Sequence, residues 1–245
     1  INSNETQKIT VTLPENTNGT LTVTVGDDVF IKDVDGDTSV TFEESGLDAG
    51  KYNVTVEYEL DDEHYDVATA NTSYEVVCIN PKIDVSVNEN LKVDDNITIT
   101  VTLPDDATGE VTLWLTYPSG TPIEVHGKKI ESGKVTFEYN ATQAGNYRVE
   151  ILYDGDGKYN NATFDGSVNV AKLNTTIDVS VDENNVITVS VLNNATGTIT
   201  INVDGKDYTE TISGGKAVFD IGELAAKTYT VDVSYSGDDR YNVNS

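Results

Sequence analysis

The chain has 245 residues, 42 of them acidic and 15 basic, for a formal net charge of −27. Charge of that sign and size repels nucleic acid and anionic headgroups, which excludes both as partners. The single cysteine, Cys78, rules out an intramolecular disulfide, and no apolar run is long enough for direct membrane insertion.

From the N-terminus, Ile9–Val25 reads ITVTLPENTNGTLTVTV, two alternating runs rich in β-branched residues around a polar turn ending at Gly19. A period of two predicts strands with one buried face. The pattern returns in Ile97–Leu115 around Gly109 and in Ile187–Val203 around Gly197. Shorter strands, Ser39–Phe42, Lys134–Phe137 and Lys216–Phe219, follow behind Gly36, Gly133 and Gly215. Next comes a segment with small residues before a tyrosine: Ala49-Gly-Lys-Tyr52, Ala144-Gly-Asn-Tyr147 and Ala226-Lys-Thr-Tyr229. Each runs into an alternating strand (Val54, Val56, Tyr58; Val149, Ile151, Tyr153; Val231, Val233, Tyr235). An acidic turn and a second tyrosine, Tyr65, Tyr159 or Tyr241, close it.

The first tyrosines stand 95 and 82 residues apart. That spacing is too long for a solenoid unit and fits a small β-sandwich, so the sequence predicts an all-β chain of three tandem domains. The expected boundaries are 1–79, 80–172 and 173–245. The connectors, Cys78–Lys82 and Ala171–Asn174, are short and carry no Gly or Ser run, which predicts a semi-rigid rod. The second and third domains open with an extra strand, Ile83–Val87 and Ile177–Val181, for which the first has no counterpart before Ile9. The third has no strand after Tyr241. Two unpaired edges are therefore expected. A parent chain continuing in both directions explains them better than a filament built by strand donation, because Ile1–Ile9 has no apolar face to donate.

The tyrosine segment, Asp48-Ala-Gly-Lys-Tyr-Asn-Val54 in its first copy, resembles the tyrosine corner of immunoglobulin-like domains. Val54, Val149 and Val231 stand where antibody domains carry cysteine. The fuller pattern, Asn-Ala-Thr-Gly, then Val-Thr-Phe, Ala-Gly-x-Tyr-x-Val and Tyr-x-Gly-Asp-x-x-Tyr, resembles the group-3 prokaryotic immunoglobulin-like repeats. These abound in adhesin-like surface proteins of methanogenic archaea. Lys227 departs from it where Gly50 and Gly145 stand, and the first copy's acidic turn lacks the glycine. The resemblance implies three immunoglobulin-like sandwiches and a structural tyrosine corner at Tyr52, Tyr147 and Tyr229. It also implies a non-enzymatic stalk or display segment on a cell surface, whose partner is a protein or glycan of another cell.

With two histidines in different repeats and one cysteine at a domain junction, a Ser–His–Asp or Cys–His arrangement would need its members brought together across a boundary, and a zinc site of His and Cys ligands fails for the same shortage. Calcium is the one cofactor the sequence admits. Asp33, Asp35, Asp37 and Glu44 fall at positions 1, 3, 5 and 12 of an EF-hand-like loop, but the glycine sits at position 4 and strand residues lie inside it. An ordinary turn is the better reading there, as it is for the Asp154–Asp156 and Gly237–Asp239 turns, where ion bridging between domains is the alternative. Nine sequons, at Asn4, Asn18, Asn53, Asn71, Asn96, Asn140, Asn161, Asn174 and Asn194, make glycosylation an expectation for an exported chain. Counting from the aligned glycines, Leu21, Val111 and Ile199 are core positions, whereas Trp114 aligns with Thr24 and Asn202 and points outward. Gly109 to Tyr147 spans 38 residues against 33 and 32 in the other copies, and 117–129 reads as an insertion. That loop is expected to fold over Trp114. The alternative is a carbohydrate-binding platform of Trp114, Tyr117 and His126.

Overall fold

The structure, a computed structural model, describes residues 1–62 and 66–245, with the backbone alone for 123–126. His64 and Tyr65, and the side chain of His126, lie outside the described residues.

Three β-sandwiches follow one another. The first has β1 (Gln7–Thr12), β2 (Asn18–Val25), β3 (Asp28–Asp35), β4 (Ser39–Glu44), β5 (Gly50–Leu60) and β6 (Ala68–Val76). β1 pairs with β4, and the second sheet runs β3-β2-β5-β6. The second sandwich has β7 (Asp84–Val87), β8 (Leu91–Lys92), β9 (Asn96–Thr102), β10 (Glu110–Thr116), β11 (Pro122–Lys129), β12 (Lys134–Asn140), β13 (Gly145–Tyr153) and β14 (Ala162–Ala171). Its sheets are β7-β9-β12 and β8-β14-β13-β10-β11, with β8 parallel to β14 and the other pairings antiparallel. The third has β15 (Asp178–Val181), β16 (Val186–Ser190), β17 (Thr198–Val203), β18 (Lys206–Thr211), β19 (Lys216–Asp220) and β20 (Val231–Tyr235), in sheets β15-β16-β19 and β18-β17-β20. Two facing sheets, with the opening segment of the second sandwich divided between them as β7 and β8, are the immunoglobulin-like arrangement.

Alternation decides what is buried. β2, β10 and β17 turn Leu21, Val111 and Ile199 inward to 0% exposure and present threonines outward. The second core is the fullest, joining Ile97, Ile99 and Val101 of β9 to Leu113, Leu115, Phe137, Tyr147, Val149, Ile151 and Tyr153. Each such side chain contributes about 1.5–3 kcal/mol when fully buried.

Flanking strands explain the difference between copies. Ile97 and Ile99 are sealed where β7 lies beside β9, while Ile9 and Val11 on β1 stay half-buried. Val149 and Ile151 are sealed where β14 runs along β13. Val231 and Val233 on β20 are half-buried, beside a single bridge from Tyr235 to Asn244.

One sequence expectation changes here. Ahead of Ile9, Asn2 bridges Val77 in parallel, as β8 pairs with the end of β14, but among the described residues no strand lies beside β1 as β7 lies beside β9. The 117–129 stretch is not an insertion over the sheet. Pro122–Lys129 is an edge strand matching β3 and β18, and the extra length lies in the 117–121 turn and a register shift between Val111 and Leu113.

Candidate functional site

The tyrosine corners come first, because they fix the loops at one end of each sandwich. The Tyr52 hydroxyl donates to the Asp48 carbonyl (2.9 Å), Tyr147 to Gln143 (3.0 Å) and Tyr229 to Ala225 (3.2 Å). All three reach four residues back. Tyr147 is wholly buried and its oxygen also accepts the Gln143 N–H at 3.1 Å, whereas Tyr52 and Tyr229 are half-buried.

At the opposite end of the last long strand, an aspartate organises the acidic turn. One Asp156 carboxylate oxygen accepts the N–H groups of Lys158 and Tyr159 (both 2.8 Å); the other accepts the N–H (2.7 Å) and hydroxyl (3.1 Å) of Thr108, 48 residues away in sequence. Asp238 repeats this with Arg240 (2.8 Å), Tyr241 (2.7 Å) and the N–H (2.7 Å) and hydroxyl (3.0 Å) of Thr196. Burial pushes the Asp156 carboxyl up, but the N–H donors of Thr108, Lys158 and Tyr159 outweigh it and bring it down to about 2. Asp238 is lowered by the same balance. Burial, and then the neighbouring carboxylate, raise the phenols of Tyr153 and Tyr235 beside these turns; among the described residues neither hydroxyl has a partner in hydrogen-bond geometry.

These clasps bear on calcium. A recess between the first two sandwiches is lined by Asp48, Asp106, Thr108, Asp156, Gly157 and Lys158. Asp156 there is saturated by protein donors, and Asp106 accepts the Tyr159 hydroxyl (2.7 Å) and the Lys158 ammonium (3.1 Å). Asp156 and Asp106 thus spend their lone pairs on protein donors, which disposes them poorly as cation ligands.

The Asp33–Glu44 loop is not assembled either. Asp33 and Asp35 lie on β3, Asp33 taking a 3.3 Å bond from the Thr20 hydroxyl, and Asp37 lies in the turn. β4 then carries Glu44 five residues beyond Ser39, about 16 Å at 3.3 Å per residue. There Glu44 sits against Asp28, at the far end of β3. Among the described residues no three His, Cys, Asp or Glu side chains come together as a metal site.

Trp114 lies on the outer face of β10, 36% exposed, opposite Glu150 on β13. Arg148 on the same face pairs with Glu150 (3.0 Å) and reaches both oxygens of Asp165 on β14 (2.7 and 3.2 Å). The expectation that 117–129 covers Trp114 is corrected, because that segment extends the sheet sideways. Tyr117, three residues on, faces the other way and packs with Tyr139 and Tyr147, their centroids 5.9 and 5.7 Å from its own. Its hydroxyl contacts that of Tyr139. Trp114 and Tyr117 therefore do not share a surface, and the His126 side chain lies outside the described residues.

All nine sequon asparagines are exposed. Three already use their carboxamides or carry a neighbour's: Asn140 donates to the Asp94 carbonyl, Asn174 accepts from Asn242, and Asn194 accepts the Tyr241 hydroxyl. The aspartate clasps were missed from sequence. Their signal was the pairing of Ala-Thr-Gly (Ala107–Gly109, Ala195–Gly197) with Asp-x-x-Tyr in the same two repeats.

No family model matches the chain, and no curated protein matches it. Among solved structures it is similar to a 1.5-MDa bacterial ice-binding adhesin described for host cell-surface retention: 16% identity, TM-score 0.31, covering 99% of this chain and 88% of that one. A Ca2+-stabilized adhesin of an Antarctic bacterium shows 13% identity and TM-score 0.26, with 94% and 68% coverage. Chicken CNTN1 domains FN1–FN3 show 12% identity and TM-score 0.25, with 97% and 91% coverage.

Proposed function

We propose that this chain is a non-enzymatic stalk or display segment of a cell-surface adhesin-like protein, built from modules 1–79, 80–172 and 173–245. It extends or mediates contact with a protein or glycan of another cell. The observation that supports this best is the serial arrangement: three separate cores, with the chain passing from Val76 to Asp84 and from Ala171 to Asp178 between them. Residues are spent on length, and the acidic, threonine-rich faces keep such a segment dissolved and apart from its neighbours. The resemblance of its tyrosine-corner and Asp-x-x-Tyr motifs to group-3 immunoglobulin-like repeats points the same way, and the exposed sequons suit an exported chain. Antibodies against the chain should label intact source cells without permeabilisation. Labelling only after permeabilisation would overturn the assignment.

A second reading, a glycan-binding face on the second sandwich, rests on the exposed Trp114 beside Arg148, Glu150 and Asp165. A glycan array probed with the chain and with Trp114→Ala separates the two. Binding lost in the variant supports the platform, and no binding by either leaves the stalk.

A further inference from the structure

We infer that the acidic turn before the last strand is a plug seated in the corner of the preceding sandwich, so that the chain sets its own interdomain angle. The two joints match bond for bond. The Ala49 N–H donates to the Gly157 carbonyl (2.7 Å), and the Ala144 N–H to the Asp239 carbonyl (3.0 Å). The connector then runs parallel to the same turn. Ile79 donates to Lys158 (3.0 Å) and accepts from Asn160 (2.9 Å), as Leu173 donates to Arg240 (2.8 Å) and accepts from Asn242 (2.8 Å). Side chains repeat too: the Asn160 amide donates to Asn80 (2.9 Å) and the Asn242 amide to Asn174 (2.8 Å).

An independent sign that the plug is shaped for its socket is Gly157. Its φ is not in the left-handed region, so its own backbone does not require glycine. A Cβ there would stand 2.4 Å from the Asp48 carboxyl carbon of the preceding sandwich. Both residues are exposed, so a larger side chain at 157 would be seated only if the Asp48 carboxylate turned away from it.

The joints differ in their charged contacts, and at the second the Lys172 ammonium also donates to the Asp238 carbonyl. Lys158 turns back to Asp106 of its own sandwich (3.1 Å), whereas Arg240 crosses over, reaching both Asp94 oxygens (2.7 and 2.6 Å) and the Thr142 carbonyl (3.3 Å). The second joint thus carries a clamp that salt and charge removal weaken; the first is held by backbone, by the Ser3 hydroxyl on the Lys158 carbonyl (2.7 Å), by the Cys78 thiol against the Asp156 and Gly157 carbonyls (both 3.8 Å), and by packing. Fixed orientation departs from the ordinary mobility of domains joined by small interfaces. It holds whether or not the chain works at a cell surface.

Electron–electron spin distances test it in the full chain with Cys78→Ser, which keeps a donor facing the Asp156 and Gly157 carbonyls. Labels at Thr41→Cys and Thr136→Cys, both exposed strand positions, read the first joint; labels at Thr136→Cys and Val218→Cys read the second. Both distributions should be narrow. Gly157→Val should broaden the first roughly twofold, toward the freedom of loosely joined domains, and adding Asp48→Ala should narrow it again. Arg240→Gln should broaden only the second. Broad distributions in the parent, an unchanged width in Gly157→Val, or no rescue by Asp48→Ala would each overturn the plug. An unchanged second distance in Arg240→Gln would overturn the clamp. Should Gly157→Val disturb its own turn, the width of the first distribution in the parent chain decides alone: narrow supports the plug and broad overturns it.

Discussion

Replacing Asp156 with alanine removes four contacts at once, those from the N–H groups of Thr108, Lys158 and Tyr159 and from the Thr108 hydroxyl. A hydrogen bond to a charged group contributes about 1.5–3 kcal/mol, but these four share one carboxylate and are not additive. Asp156 is half-exposed, so water takes over part of the lost bonding. A net loss of about 2–3 kcal/mol follows. Trp114 is the only tryptophan of the chain and sits in the second sandwich, so its fluorescence reports that sandwich alone. With a urea slope of about 1 kcal/mol/M for a module of this size, the tryptophan-monitored midpoint should fall by about 2–3 M. Asp238→Ala, equivalent but in the third sandwich, should leave it in place. The pH dependence has a definite sign. Asp156 is depressed from 3.8 to about 2 on folding, so its stabilisation is full above pH 3.8 and is lost as pH falls through about 2. Asp106, lowered by the Tyr159 hydroxyl and then by Lys158, titrates in the same direction. Asp156→Ala should therefore shrink the acid loss between pH 4 and 2 without abolishing it. An unchanged midpoint, or an acid slope equal to the parent's, would refute the clasp.

Tyr147→Phe removes a buried hydroxyl bonded to both polar groups of Gln143, and should lower the same transition by about 1–2 kcal/mol. Phe137→Ala, at a site 1% exposed, should cost about 3–5 kcal/mol in that readout, and a loss below 1 kcal/mol would contradict the core assignment. At Gly155 φ is +87° and a Cβ would stand 2.7 Å from the Tyr159 carbonyl oxygen, so Gly155→Ala should destabilise the second sandwich by more than the roughly 1 kcal/mol of an ordinary left-handed glycine. Acrylamide should quench Trp114 in the native chain. Protection equal to that of a buried indole would contradict its outward placement.

The strands were legible because alternation is a local property, as at Ile97–Ile99–Val101 and Val149–Ile151–Tyr153, and three copies allowed one to check another. Leu21, Val111 and Ile199 could be assigned to the core by counting from aligned glycines alone. Trp114's direction was legible for the same reason; its cover was not, since loop length cannot distinguish a lid from an edge strand. The EF-hand-like spacing of Asp33, Asp35, Asp37 and Glu44 was read as an ordinary turn on its misplaced glycine and its strand residues, and the extended β4 carries Glu44 away from the aspartates. The Asp156 clasp depends on a partner 48 residues off, and the joints on hydrogen bonds between backbones. Backbone bonding leaves no residue signature beyond the repeat itself.

Small-angle scattering of the 245-residue chain tests the serial arrangement most directly. Three sandwiches end to end, each roughly 35 Å along strands of about ten residues, make a rod of about 100 Å with a radius of gyration near 30 Å. A chain of this length folded into one compact body has a radius of gyration of about 18 Å. The account predicts the larger value, with a pair-distance distribution tailing to about 100 Å or slightly more. A value near the compact one would contradict it.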